Sequence, residues 1–336
     1  MTDMMATTNT TTTTTATTNT TATTNTTAAA TTVIETSDLS KRYGDKLACN
    51  EINISVGAGE VFGFLGPNGA GKSTCIKMLT GLVIPTSGGG TVLGRPLGDV
   101  LARRKMGYLP EQFRYQPWMT GEDLLVFHSR LFKLEKSRER NLAVLKRVGL
   151  EGQGKYKIGS YSKGMQQRIG IAAALLPDPE LLFLDEPTSA LDPVGRKEVR
   201  DIISSLRDEG TTVFLNSHLL SEVESVCDSV AIIHHGEIVR AGKMRELLEA
   251  KVSLRLRAEN LPQESIGYLR ERYDDGLQQH ADGSIAIALK SRDQVPEIAA
   301  YVTGQGALLH ELTPGHETLE SLFLRIIGEE GSPSVQ

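Results

Sequence analysis

Residues 66–74 read Gly-Pro-Asn-Gly-Ala-Gly-Lys-Ser-Thr and fit the spacing G-x-x-x-x-G-K-[ST]. Such a loop suits one kind of chemistry. Gly66, Gly69 and Gly71 let the backbone wrap tightly around Pro67, Asn68 and Ala70, so that successive N–H groups point inward at phosphate oxygens. A helix beginning at Lys72 would add the positive end of its dipole. Lys72 can then reach β- and γ-phosphates, Ser73 can offer its hydroxyl to Mg²⁺, and Thr74 completes the motif. Alone, the loop marks a nucleoside triphosphatase without saying which kind.

A second constellation is Leu181-Leu182-Phe183-Leu184-Asp185-Glu186, an apolar run ending in two acids. A buried strand delivers its C-terminal residues to the ligand crevice of an open α/β sheet. Adjacent strand residues point to opposite faces, so the two carboxylates can take different tasks. Asp185 suits the Mg²⁺ shell, directly or through a retained water. Glu186 can polarise an attacking water, a contribution typically of about 10²–10⁴ in rate.

These groups need a scaffold, and the hydrophobic pattern supplies one. Val61–Leu65 reads as a strand ahead of the glycine loop, with a helix from about Lys72. Leu181–Leu184, Thr212–Asn216 and Val230–His234 read as buried strands, and Lys163–Leu176 and Val194–Glu209 as helices between them. Strands alternating with helices predict a mostly parallel sheet covered on both faces.

A third motif, Tyr161-Ser162-Lys163-Gly164-Met165-Gln166-Gln167-Arg168, lies just upstream of the acidic strand. The three together resemble the ATP-binding cassette (ABC) family, whose signature is usually written L-S-G-G-Q. Here Tyr161, Lys163 and Met165 depart from that pattern, while Ser162 and Gly164 keep it. The variant is similar to ATPase subunits of type-2 ABC exporters, whose permeases are separate chains. The resemblance covers about residues 33–246. It implies a P-loop NTPase cassette with a mostly parallel core sheet, an antiparallel β subdomain and a helical subdomain at about residues 112–175. It also implies ATP and Mg²⁺ as ligands, and hydrolysis of ATP coupled to transport, most naturally export.

Further roles follow from the resemblance alone. Ser162 and the Gly164 amide would cap the γ-phosphate of ATP held by a second ATPase subunit, a copy or a close relative. Tyr43 matches the aromatic that stacks on adenine. His218, in Asn216-Ser217-His218, matches the switch histidine at the γ-phosphate. Ser189-Ala190-Leu191-Asp192 resembles the loop linking the two sites, with Asp192 its last residue. The family often places Gln after a strand ending in G-Y-x-x. In Gly107-Tyr108-Leu109-Pro110-Glu111-Gln112, strict spacing puts Glu111 there and Gln112 next, and either can approach the metal or the lytic water. The helical subdomain would receive the permease, with Trp118 either at that contact or in the core. The protein would then sit on the cytoplasmic face of the membrane, held there by the permease. The alternative is a soluble ABC ATPase acting on ribosomes or DNA. Such proteins commonly join two cassettes or insert long coiled coils, and this chain has one phosphate loop and no long heptad run.

The rest of the chain bounds this reading. Its 336 residues allow two domains. The net charge of −5 lacks the basic footprint of a nucleic-acid binder. Cys49, Cys75 and Cys227 are scattered, which argues against a disulfide framework or zinc site. No run approaches the roughly 18 apolar residues of a spanning helix. Residues 1–32 are nearly all Thr, Ala and Asn and read as a disordered tail. After the cassette at 33–249, residues 250–336 read as a small α+β accessory domain without a motif that carries chemistry.

Overall fold

The computed structural model describes residue 1 and residues 31–330, except 136, 250–251, 274–276, 281–282, 290 and 317. The expectation of a disordered tail falls almost wholly outside these residues. The chain from residue 31 opens with β1 (Thr32–Tyr43), β2 (Lys46–Ile52) and β3 (Ser55–Gly57), and enters the core with β4 (Val61–Leu65). The phosphate loop leads into α1 (Lys72–Leu79), followed by β5 (Ser87–Val92), β6 (Arg95–Pro96), α2 (Val100–Arg103) and β7 (Met106–Leu109). The helices α3 (Gly121–Leu131), α4 (Ser137–Arg147) and α5 (Lys163–Leu175) lead to the acidic strand β8 (Leu181–Asp185). Then come α6 (Pro193–Asp208), β9 (Thr212–Asn216), α7 (Leu220–Val226), β10 (Ser229–His234), β11 (Glu237–Lys243) and α8 (Met244–Glu249).

Two sheets build the cassette. The core sheet has the order β11-β10-β4-β9-β8-β7, parallel throughout except at the β10–β11 hairpin. The mostly parallel sheet expected from the sequence is therefore present. A five-stranded antiparallel sheet pairs β1 with β2, β3 and β5, and β5 with β6. Every residue of β4, β8 and β9 is buried, which is why these strands read as continuous apolar runs. Alternation along them still divides two cores. Val61, Leu65, Leu182, Leu184, Val213 and Leu215 pack with α5, α6 and α7. Phe62, Phe64, Phe183 and Phe214 pack with α1 and the antiparallel sheet. Phe214 holds the other three rings at centroid distances of 5.3–5.4 Å, and full burial of each such ring contributes about 1.5–3 kcal/mol.

Beyond the cassette lie β12 (Val252–Glu259), α9 (Gln263–Arg272), β13 (Leu277–Gln279), β14 (Ile285–Leu289), α10 (Gln294–Gly304) and β15 (Leu308–His316). The strand order β13-β14-β12-β15, antiparallel at each pairing, is that of a ferredoxin-like split βαβ unit. Leu254, Leu256, Ile287, Ile298 and Val302 form its own core. The last helix, α11 (Leu319–Glu330), packs elsewhere: Leu319 and Leu322 are buried in the cassette core beside α7. Among the described residues, no helix is long and apolar enough to cross a membrane.

Candidate nucleotide site

The carboxyl ends of β4, β8 and β9 converge on a cavity of about 480 Å³, within the range of small-molecule sites. The glycine loop forms its floor. Gly71 has φ 109°, and a Cβ there would lie 2.2 Å from the carbonyl oxygen of Ala48. A Cβ on Gly66 would meet the carbonyl of Ile233 at the same distance. Gly66 therefore needs glycine for close approach, and Gly71 for close approach and conformation alike. Gly71 also stands at the N-cap of α1, where no side chain bonds the helix N-terminus. That leaves the end of α1 suited to an anion. Asn68, Gly69, Gly71, Lys72, Ser73 and Thr74 line the cavity. Gly66, Pro67 and Ala70 support the loop from behind, Ala70 accepting the Gly236 N–H at 3.0 Å.

Lys72 is 7% exposed, and its Nζ donates to the carbonyls of Gly66 at 2.7 Å and Pro67 at 3.2 Å. Burial pushes the ammonium pKa down, while the charges of Glu186, Asp185 and Glu111 oppose that shift. The lysine thus lies within electrostatic reach of three carboxylates.

Asp185 closes β8 in register with Asn216, which closes β9. The Asn216 amide donates to Asp185 Oδ1. Burial raises the Asp185 pKa, and this hydrogen bond works against the rise. Asp185 is not on the cavity lining and meets it through Asn216, which is. Asn216 Oδ1 is buried without a hydrogen-bond partner, which leaves one acceptor of this side chain unsatisfied.

Glu186 lies just past the strand at φ 54°. Its N–H donates to the Asn216 carbonyl at 2.9 Å. The separation of the two carboxylates therefore comes from this left-handed turn, rather than from strand alternation alone. A non-glycine residue held there signals strain that surrounding contacts must maintain. Glu186 Oε2 lies 2.7 Å from His218 Nδ1. Burial raises the Glu186 pKa, opposed chiefly by His218. A carboxylate and an imidazole in this contact can orient a water and accept its proton.

Tyr43 lines the cavity with its ring about half exposed, and Lys41 Nζ sits 5.1 Å from the ring centroid. Such a ring can stack on a nucleobase. Glu111 also lines the cavity, whereas Gln112 does not. Ser162, Gly164 and Asp192 lie off it. Ser162 caps α5, its Oγ accepting the Met165 N–H at 3.2 Å, and Asp192 caps α6, its Oδ1 accepting the Gly195 N–H at 2.8 Å.

Sequence reasoning assigned no role to Lys46, Ala48 or Asn216, all of which line the cavity. A signal existed for Lys46: Gly44-Asp45 is a hairpin turn, and it pairs Tyr43 with Lys46. For Asn216, the signal was its place at the end of a buried strand beside the acidic one.

Comparison with known proteins agrees with this geometry. Residues 49–189 match the ABC transporter family. The chain is 37% identical over 318 residues to an uncharacterised ABC transporter ATP-binding protein of Synechocystis sp., spanning 90% of this chain and 87% of that one. It is 34% identical over 306 residues to the Nod factor export ATP-binding protein I of Rhizobium sp., spanning 88% and 97%. A solved structure, described as the dimeric post-hydrolysis state of an ATP-binding cassette bound to ADP and Pi, superposes with a TM-score of 0.57. That match is 27% identical and covers 63% of this chain and 99% of the other. Similarity at these identities runs through nearly the whole length of the relatives, and the chain accordingly belongs to the family of ABC transporter ATP-binding proteins.

Proposed function

We propose that this subunit hydrolyses MgATP as one half of a nucleotide-clamped dimer, and that turnover powers export through a separate permease chain at the cytoplasmic face of a membrane. One observation carries the reading of hydrolysis: Lys72 and the Glu186–His218 pair line the same cavity.

The donor set fits a hard divalent cation. Ser73 offers a hydroxyl on the cavity wall, and Asp185 offers a carboxylate linked to it through Asn216. Among the described residues, no group of three or more His, Cys, Asp or Glu forms a closed metal cage. A cation held by few protein oxygens, with water and phosphates completing its shell, is the Mg²⁺ pattern. Ser73 and Asp185 would hold it, and it would neutralise charge on the phosphates.

The protein's own groups account for the rest. Loop N–H groups and Lys72 bind and orient the phosphates. Tyr43 stacks on adenine. Glu186 takes the proton of the attacking water, and His218 fixes the Glu186 carboxylate and faces the γ-phosphate. Glu111 takes the place of the family's glutamine, a choice its position on the cavity supports over Gln112. Ser162 and Gly164, at the exposed start of α5, would cap nucleotide held by the second subunit, with Asp192 in the loop between sites. The solved dimeric cassette supports such a pairing. The Nod factor export relative supports the direction of transport. For the permease, the helical subdomain offers Trp118, 68% exposed, with Phe127, Leu131 and Phe132 also exposed. Exposed aromatic and aliphatic side chains of this kind suit a protein contact.

The test uses two variants. Lys72→Ala should lose tight ATP binding, measured by equilibrium titration. Glu186→Gln should keep ATP, lose turnover by roughly 10²–10⁴-fold, and accumulate a dimer in size-exclusion chromatography. Turnover at the wild-type rate in Glu186→Gln, or a strictly monomeric ATP-loaded variant, would overturn the reading.

A further inference from the structure

The short helix α7 begins two residues after His218 and is held at three points. Val223, fully buried, packs on Gly63 of β4 so closely that a Cβ on that glycine would lie 2.7 Å from Val223 Cγ1. Glu222, 7% exposed, pairs with Arg200 of α6 at 3.0 Å. Glu224 accepts the backbone N–H of Leu319, the first residue of α11, at 2.9 Å. The first two contacts tie α7 to the strand feeding the phosphate loop and to the helix after the acidic strand. The third ties it to the far end of the chain.

That third contact is a built one. The carboxylate sits at the positive end of α11, where a helix leaves N–H groups unsatisfied. Thr318 caps the same end, its Oγ1 accepting the Ser321 N–H at 3.2 Å. Leu319 and Leu322, 0% and 4% exposed, seat the helix in the core that also contains Val223 and Val226 of α7. The helix α11 starts three residues after β15, the edge strand of the C-terminal sheet. The α11 contact therefore links that sheet to α7. A helix of seven residues has little internal give, so its displacement passes to the Ser217–Leu219 turn and to His218.

We propose that Glu224 is a positioning residue for hydrolysis: by clamping α11 to α7 it holds His218 at the height where its Nδ1 meets Glu186. The C-terminal module then acts on the site through α11, and its position sets the hydrolysis rate rather than nucleotide affinity. The inference rests on the reading that Glu186 and His218 act in hydrolysis.

The experiment compares Glu224→Ala, Glu224→Gln and His218→Ala in the full chain, alone and with Glu224→Ala combined with His218→Ala. Glu224→Ala should lower kcat roughly 10-fold, as a small misplacement at a reacting centre does, with KM for ATP unchanged. Glu224→Gln keeps an acceptor oxygen for the Leu319 N–H and should restore most of the rate. The double variant should be no slower than His218→Ala. Amide hydrogen exchange supplies a readout independent of activity: in the wild type α7 and α11 should open together as one unit, and in Glu224→Ala α7 should exchange faster. The proposal is overturned by wild-type kcat in Glu224→Ala, by losses that multiply in the double variant, by a Gln variant as slow as Ala, or by separate opening of α7 and α11 in the wild type. Full turnover in His218→Ala would instead remove the underlying reading of the site, while the exchange data would still report on the clamp.

Discussion

Asp185 and Asn216 end neighbouring parallel strands at the same register, and the amide of one donates to the carboxylate of the other. The pairing gives a buried acid its donor and leaves the second amide atom, Oδ1, as an unpartnered acceptor near the cavity. An arrangement of this kind orients a carboxylate and favours its charged form.

Replacing Asn216 by Leu keeps the volume and removes both functions. The expected outcome is a higher Mg²⁺ requirement for nucleotide binding. The Mg²⁺ concentration needed for half-maximal ATP binding should rise roughly 10–100-fold, the range found when an outer partner of a metal ligand is lost. Nucleotide affinity without Mg²⁺ should stay near wild type. A Leu variant with an unaltered Mg²⁺ requirement would show that the amide is idle.

Burial raises the Glu186 pKa in the folded protein. Between the unfolded and folded values the native state holds a proton that the unfolded chain has released. Stability from this group is therefore fully present at low pH and is lost as pH rises through the folded pKa. Glu186→Gln cannot ionise and escapes that loss. Its melting temperature without nucleotide should exceed the wild type's at pH 7, and the gap should close below about pH 4, where an ordinary glutamate is protonated even unfolded. A calorimetric series across pH measures this. A gap that widened toward acid would mean that the His218 contact, not burial, dominates.

The phosphate loop offers a contrast between two glycines. At Gly71, φ 109° combines with a carbonyl 2.2 Å from any added Cβ. At Gly69, φ 83° stands in open space, with nothing within 4 Å. Gly69→Ala should cost only the backbone term, about 1–2 kcal/mol. Gly71→Ala must also move the loop off Ala48, and should both destabilise more and abolish nucleotide binding. Denaturant melts and ATP titrations of the two variants separate these effects, and equal costs would contradict the close packing.

Much of this architecture was legible because its signals are local. Short continuous apolar runs such as Leu181–Leu184, bounded by Pro177 and Asp185, fit strands buried on both faces, and Gly66–Thr74 carries its conformation in its own residue types. The ends of the core helices fell within a residue or so, since Ser162 and Asp192 are readable caps. What stayed hidden is long-range. Nothing local in Asn216 says that its strand neighbours the one ending at Asp185. The reversal at Glu186 is a left-handed residue that no propensity scale selects for glutamate. The strand β13 is only three residues long, too short for an alternating pattern to show. The destination of α11 was also invisible, because an amphipathic helix records that it has a core-facing side but not which core it meets.

That last point can be tested by thermodynamics. Leu319 is fully buried and packs with the cassette core, whereas Leu256, equally buried, packs in the C-terminal sheet. Truncation of either to Ala should cost about 2–5 kcal/mol at its own site. ATP stabilises whichever folding unit binds it, so the transition that shifts upward with nucleotide identifies the cassette. Leu319→Ala should lower that transition, and Leu256→Ala should lower it less or act on a separate one. Should the two substitutions exchange these effects, α11 would belong energetically to the C-terminal sheet, and the route from that module to α7 would lose its physical basis.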